Sequence, residues 1–409
     1  MKHDNTTAPP RLLILASTYP RWANDHEPGF VHELSKRLVD TFDVTVLCPH
    51  APDARSQECM DDVQVHRYRY APARLETLVN DGGIVINLKH QPWKWLLLPG
   101  FLLAQIWAAW RLIRVQRPDV IHAHWLIPQG LVVALLGLVY RRVPPFVVTS
   151  HGADLYALRT KPLQALKRFV ARRAAALTVV SQAMRDELIR LGVDSSKISV
   201  RSMGVDLEQR FRPDSSVQRS VGEILFVGRL VEKKGVRHLI DAMPAILAMC
   251  PDAHLTIAGF GPEEQALRAQ VRHLNMAEYV QFMGAVTQGA LPEFYRRAAV
   301  FVAPFVQADN GDVEGLGLVV VEAVGCLCPV VVGAVPAMLD VLDACSDSVV
   351  SPCDINALAT AVVETLHDSQ CAHARAVTRR QRLLKRFSWR EVARGYASVL
   401  KTVIALRRA

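Results

Sequence analysis

Short apolar runs recur along the chain, and between most of them the pattern shifts to the spacing of an amphipathic helix. Arg11–Ala16 (RLLILA) reads as a buried strand, Glu33–Val39 as a helix after a loop, and Val44–Cys48 as the next strand. Val120–Ala123, Phe146–Thr149 and Leu177–Ser181 are further short strands. The series then restarts: strand Glu223–Val227, helix Val236–Met249, strand His254–Ala258, helix Glu263–Leu274, and strands Tyr279–Phe282, Val300–Ala303 and Pro329–Val332. Apolar strands alternating with helices predict an α/β fold built on doubly wound parallel sheets with helices on both faces. Two such series predict two Rossmann-like domains facing each other across a cleft, with ligands at the carboxyl ends of the strands. Pro213-Asp214-Ser215-Ser216 has linker chemistry. The reading is an N-terminal domain 1–205, a linker 206–222, a C-terminal domain 223–387, and a final helix within 388–409. Ser388 caps that helix, roughly Trp389–Leu406, which can pack back on the N-terminal domain.

Composition sharpens this. Half of the 409 residues are hydrophobic and 21% are charged, enough apolar material for two cores. The net charge of +9 is uneven: residues 1–200 carry 25 Lys+Arg against 17 Asp+Glu, and residues 201–409 carry 23 against 22. A basic, apolar-rich first half suits an anionic ligand or the anionic inner face of a membrane. No basic-aromatic motif or helix-turn-helix pattern points to nucleic acid. The polar start of the chain has no signal-peptide core, which points to the cytoplasm as the expected location, with contact at the inner face of the membrane open to it. The eight cysteines form no CxxC pair and read as reduced, buried thiols. Trp95–Trp110 is apolar but, at 16 residues, short for a span, which needs about 20. It reads equally as a core helix or as an in-plane membrane-contact helix, with three Trp and flanking cations. Leu126–Tyr140 reads as a buried crossover helix.

Three motifs carry chemistry. The first runs from Asp309 to Gly325. Glu314 and Glu322 are separated by seven residues, Gly315 and Gly317 follow the first glutamate, and an apolar helical run follows them. Glycines before a helix let backbone N–H groups approach a phosphate, and the helix dipole favours its charge. Along a helix the two glutamates would stand ~12 Å apart, enough to straddle a diphosphate between a sugar and a ribose. Exposed helical glutamates are commonplace, but an ionised side chain within an apolar run needs a partner. The second motif is Gly228-Arg229…Lys233-Lys234-Gly235, directly after a strand. Arg229 and Lys234 suit a diphosphate leaving group, while Lys233 reads as a solvated charge. The third, Ser150-His151-Gly152-Ala153-Asp154, places a His at a strand end, where it can meet substrate hydroxyls or simply cap the strand. Pro28-Gly29-Phe30 reads as an acceptor or phosphate loop. His122 and His124 alternate at another strand end; two ligands do not make a metal site, so structural or acceptor-side roles are favoured.

In this order and spacing the motifs resemble glycosyltransferase family 4, retaining enzymes of the GT-B fold, over nearly the whole chain. The resemblance implies that Arg229 and Lys234, with Gly228, bind donor diphosphate. It implies that Glu314 contacts the donor sugar and Glu322 the ribose. The amides of Gly315, Leu316, Gly317 and Leu318 would hold sugar and phosphate, and His151 would lie near the transferred sugar. His151, Arg229, Lys234 and Glu314 form the catalytic set, while Pro28, Gly29, Phe30, His122, His124 and Asp154 lie on the acceptor side. The partners implied are a nucleotide-sugar donor and a glycan or lipid-linked acceptor. With no Asp-x-Asp pattern, no metal or other cofactor is expected. The segment Val332-Gly333-Ala334-Val335-Pro336-Ala337 departs from the family's Gly-Gly-x-Pro-Glu pattern, and the first loop has one Gly where two are usual. Two other readings use the same residues: a nucleotide-sugar epimerase, and a non-catalytic anion- or lipid-binding protein.

Overall fold

The computed structural model describes residues 8–408 apart from 23, 24, 26–28, 81, 82, 157–159, 310 and 343–347. The chain divides into two units. Residues through Val180, Met184–Arg201 and Val392–Ala409 form the first, and Ser181–Ala183 with Ser202–Glu391 form the second.

The first unit is built on an eight-stranded sheet. Its strands are β1 (Arg11–Leu15), β2 (Asp43–Pro49), β3 (Gln57–Met60), β4 (Val63–Tyr68), β5 (Val120–His124), β6 (Phe146–Ser150), β7 (Ala176–Val179) and β8 (Ile198–Val200). They lie in the order β3-β4-β2-β1-β5-β6-β7-β8, all parallel except the edge strand β3. β5 and β6 are buried at every position, as expected of parallel strands covered on both faces. β3 and β4 escape the sequence pattern because their exposure alternates and their residues are mixed, so no apolar run announces them.

The second unit carries six parallel strands: β9 (Glu223–Val227), β10 (His254–Ala258), β11 (Val280–Gly284), β12 (Val300–Ala303), β13 (Val330–Gly333) and β14 (Val349–Val350). Their order is β11-β10-β9-β12-β13-β14. Ile224, Phe226, Val300 and Val302 pack beneath Leu239, Ile240 and Met243 of the helix Val236–Met249. Removing one such side chain would cost about 2–5 kcal/mol. Glu223 is the buried exception in β9. Its carboxylate accepts two hydrogen bonds from Arg297, at 2.7 and 2.8 Å, and one from Thr256 at 3.0 Å, which compensates its desolvation.

Both sheets reverse direction beside their first strand, between β1 and β5 and between β9 and β12. Loops leaving the two strands at such a point diverge to opposite faces and leave room for a ligand.

Three local readings are revised. The helix near the start begins at Phe30, not Glu33. Leu126–Gly130 forms a single wide turn with Ile127 extended, so regular α-helix is confined to Leu131–Val139. The helix Leu98–Gln116 is not a core helix. It lies against β2 and β4 with Phe101, Gln105, Ala109 and Ile113 turned inward, while Leu103, Trp107 and Val115 are exposed. The final helix, Trp389–Arg408, brings Tyr396 to within 5.5 Å of the His122 ring, and the Tyr396 hydroxyl donates to the Arg201 carbonyl at 2.9 Å.

Candidate active site

In the second unit, the loops leaving β9 and β12 interlock residue by residue. Glu232 accepts from the Asp309 N–H at 2.7 Å, Lys233 reaches Asp312 at 3.1 Å, and Lys234 reaches Glu314 at 2.7 Å. Local geometry explains why these residues arrive there. A single turn, Glu232–Lys234, ends at Gly235, which has φ +65° and opens the helix Val236–Met249. A Cβ at Gly235 would meet the Pro304 carbonyl oxygen at 1.8 Å, so only glycine lets the β9 loop lie against the β12 loop. The Lys234 ammonium also sits 4.2 Å above the Phe305 ring, an attractive placement for a cation.

Glu314 is not on a helix. The helix begins at Leu318, after Gly317 with φ +74°, so the two glutamates are not joined by one continuous helix as the sequence suggested. Glu314 Oε1 instead folds back and accepts from the Gly317 N–H at 3.2 Å. Burial by itself would raise its pKa. The charges of Lys234 and Lys233, with hydrogen bonds from Lys234 and the Leu316 N–H, outweigh that and take it down to about 2. Gly315 and Leu316 lie between Glu314 and the first turn of the helix, whose N–H groups have no partners further back in the helix.

Glu322 is a different carboxyl. It is buried on the second turn of the same helix and accepts from the Tyr295 hydroxyl at 2.9 Å. Burial pushes its pKa up to about 7, against the opposing pull of that hydrogen bond and of Arg210 and Lys234. Gly228 and Arg229 begin the β9 loop, both part-buried.

In the first unit, four rings meet beyond the ends of β5 and β6. His124 and His151 stack at 5.1 Å with a 4° interplanar angle, and His124 Nδ1 lies 2.9 Å from His151 Nε2. The Phe30 ring lies 4.9 Å from His151, and Trp125 lies 5.1 Å from it. Gly29 immediately precedes the helix that carries Phe30; Pro28 lies outside the described residues. Burial takes His151 down to about 3, with His122 adding to the effect, and holds His124 well below the usual imidazole value. The stacked pair is therefore neutral at physiological pH, with one shared N–H. His124 Nε2 has no hydrogen-bond partner among the described residues.

The other two candidates lie deeper. His122 is fully buried beneath the ring cluster, with Nε2 2.6 Å from Thr149 Oγ1. Asp154 directs one carboxylate oxygen to the Leu126 N–H at 2.7 Å and the other to the Ser150 hydroxyl at 2.8 Å, which orders the turn after β5. Both are internal supports of the ring cluster. Among the described residues no group of three or more His, Cys, Asp or Glu could hold a metal ion.

With this geometry in place, comparison with known proteins is informative. Residues 30–209 match the family described as Glycosyltransferase Family 4, and residues 222–368 match Glycosyl transferases group 1. A GDP-mannose-dependent alpha-(1-6)-phosphatidylinositol monomannoside mannosyltransferase of Mycolicibacterium smegmatis is 32% identical over 281 residues, covering 65% of this chain and 73% of that one. The chain belongs to glycosyltransferase family 4. A glycogen synthase of Mycobacterium tuberculosis is 28% identical over 407 residues, 95% of this chain and 94% of that one. Sucrose-phosphate synthase from Thermosynechococcus elongatus shares the fold with a TM-score of 0.79 at 20% identity, over 97% of this chain and 100% of that one. Anabaena HepE in complex with UDP-glucose aligns with a TM-score of 0.72 at 17% identity, over 96% of this chain and 100% of that one. The protein is thus a glycosyltransferase with the two Rossmann-like domains of the GT-B fold, which decides for transfer over epimerisation or simple binding.

Sequence reasoning missed part of the set that joins the β9 and β12 loops and surrounds Glu322. Lys233, read as a solvated charge, is held by Asp312. Glu232 and Tyr295 were not singled out. The opposite charges of Lys233-Lys234 and Asp312…Glu314 were the available signal for Lys233, whereas Glu232 meets the Asp309 backbone N–H, which no charge pattern announces. Nothing in the sequence links Tyr295 to Glu322.

Proposed function

We propose that this glycosyltransferase moves a hexose from a UDP- or GDP-sugar to an acceptor hydroxyl on a lipid-linked glycan or polysaccharide precursor, with retention of anomeric configuration. The observation that carries this reading is the Lys234–Glu314 pair at the β9–β12 reversal: a cation and a carboxylate on facing loops, beside a helix N-terminus. In the donor complex Lys234 and Arg229 neutralise the diphosphate as it departs. The amides from Gly315 to Leu318 add donors to sugar and phosphate. Glu314 accepts from the sugar hydroxyls, and Glu322 accepts from the ribose. With neither carboxylate assigned as a nucleophile, substitution proceeds on one face through an oxocarbenium-like state, and the leaving phosphate takes the acceptor proton. His151 serves near the transferred sugar. A neutral imidazole suits that position, because it hydrogen-bonds a hydroxyl without setting a positive charge beside a cationic transition state.

The relatives support the donor class: one is named for GDP-mannose, and one solved structure holds UDP-glucose. A thermal-shift panel of UDP-, GDP- and ADP-sugars tests it. The cognate donor should raise the melting temperature by mass action, and no response to any member would sink the proposal. No metal enters the scheme, so turnover should survive EDTA; activity lost in EDTA and restored by a divalent cation would show this part to be wrong.

His124 acts on the reaction through His151, as a positioning residue. His124→Phe keeps a ring in the stack but removes the hydrogen bond. We expect kcat to fall roughly ten- to hundredfold with donor KM within about twofold, since misplacing a group near the reacting centre affects the transition state most. An unchanged kcat, or equal loss in kcat and melting temperature, would reduce His124 to packing.

A further inference from the structure

The helix Leu98–Gln116 and the turn Pro92–Leu97 before it depart from the usual order of a surface helix, which is apolar on its inner face alone. The stripe turned to the sheet is Phe101, Gln105, Ala109 and Ile113. The stripe turned to solvent is also apolar: Leu96 is 82% exposed, Leu103 67% and Trp107 58%, with Trp95 at 58% beside Leu96. The adjacent helix Leu131–Val139 extends the patch with Leu138, 55% exposed, and Val139, 84% exposed. Isolated exposed apolar residues are ordinary, but a contiguous patch with Trp at its centre marks an interaction face.

We propose that this patch is a docking face for the surface of an anionic lipid bilayer. Charge selects that occupant. Between Gly83 and Gly152 the chain has seven Lys and Arg and a single acidic residue, Asp119. Asp119 is turned to the Arg11 N–H at 2.8 Å, and Lys94 is turned inward to Thr77 and Asn87. The remaining cations lie on the helix Leu98–Gln116 or on segments that flank it and the helix Leu131–Val139 in the chain. Arg111 lies over Trp107 at 5.6 Å and Arg114 over Trp110 at 5.4 Å, while Lys89, Arg117, Arg141 and Arg142 are exposed nearby. Apolar and indole surface bordered by cations fits the boundary between acyl chains and anionic headgroups. A second copy of the chain, docked symmetrically, would set the same cations against each other.

The helix lies along the bilayer surface and does not cross it. Although long and apolar enough to span, it is committed on its inner side. Phe101 packs edge-on between Tyr68 and Tyr70, at 5.7 and 5.3 Å, and a Cβ on Gly100 would already meet the Tyr70 carbonyl oxygen at 2.8 Å. This inference does not depend on the donor or on the sugar.

The test is flotation of the full chain with phosphatidylcholine vesicles containing about a third phosphatidylglycerol, the fraction setting the surface charge. The chain should float with these and far less with pure phosphatidylcholine, and binding should weaken as salt is raised. Leu103→Glu/Trp107→Glu should weaken binding at least tenfold without lowering the melting temperature. Arg111→Gln/Arg114→Gln, a milder pair, should weaken it roughly 25-fold, about fivefold per cation. Wild-type chain that stays unbound to anionic vesicles would overturn the proposal. So would unchanged binding by the arginine pair, or a wild-type dimer in light scattering that the Leu103→Glu/Trp107→Glu variant dissolves.

Discussion

Lys234→Ala is expected to lower kcat about a thousandfold and to destabilise the C-terminal unit at the same time. The kinetic loss follows from its role: removing one preorganised charge from a departing anion typically costs about a hundred- to a thousandfold. The stability loss follows from what stays behind. Glu314 keeps its part-buried carboxylate but loses the ammonium at 2.7 Å. Breaking one side of a fully buried pair costs about 3–5 kcal/mol; with both side chains part-buried the lower end, about 3 kcal/mol, applies, which is roughly 6–12 °C in melting temperature for a unit of this size. The two effects can be separated. Lys234→Met/Glu314→Gln removes both charges and keeps an apolar stem over Phe305, so stability should largely return while activity stays lost. Melting curves and initial rates on both variants provide the check; a Lys234→Ala enzyme within fivefold of wild type would remove Lys234 from the reaction. Because the folded-state pKa of Glu314 is lowered to about 2, its contribution to stability is present above the ordinary carboxyl pKa and disappears as pH falls toward 2.

Glu322→Gln should do the opposite to the empty protein: stabilise it at pH 8 and leave it nearly unchanged at pH 5. Burial raises the Glu322 pKa to about 7. A carboxyl raised in the folded state stabilises most when protonated, below its unfolded value, and that contribution is lost as pH rises through about 7. At pH 8 the wild type holds a buried carboxylate with the Tyr295 hydroxyl as its neighbour, at a cost on the order of 3 kcal/mol. The amide carries no charge and escapes it. Donor binding runs the other way. Two ribose hydroxyls donate better to a carboxylate than to an amide, so Glu322→Gln should bind nucleotide roughly ten- to a hundredfold more weakly. Wild-type affinity should rise with pH through neutrality, with a proton released on binding. Calorimetry in buffers of different ionisation enthalpy measures that proton; a pH-independent affinity with no proton release would take Glu322 out of ribose recognition.

Much of the fold was legible in the chain itself. The apolar runs at Leu12–Leu15, Val120–Ala123 and Ile224–Val227 are strands because parallel strands covered on both faces must be apolar throughout. The glycines at 235 and 317 mark where helices begin in a left-handed backbone, and the positions of Arg229, Lys234, Glu314 and Glu322 between those elements gave the family. These are local signals, written in consecutive residues. What the chain could not state is which residues 77 to 80 positions apart would face each other. Lys234 meets Glu314, and Glu232 meets Asp309, only because β9 and β12 lie side by side in the sheet. The same holds for charge. Glu314 and Glu322 are the same residue type on one segment, yet one is pulled down to about 2 and the other pushed up to about 7, because one is part-buried beside lysines and the other is buried beside a tyrosine. The sequence likewise marked the Trp-rich helix as apolar, but packing against β2 and β4 decided which stripe is covered and which faces out. Periodicity and turn chemistry belong to neighbours in the chain; ionisation, pairing and exposure belong to neighbours in space.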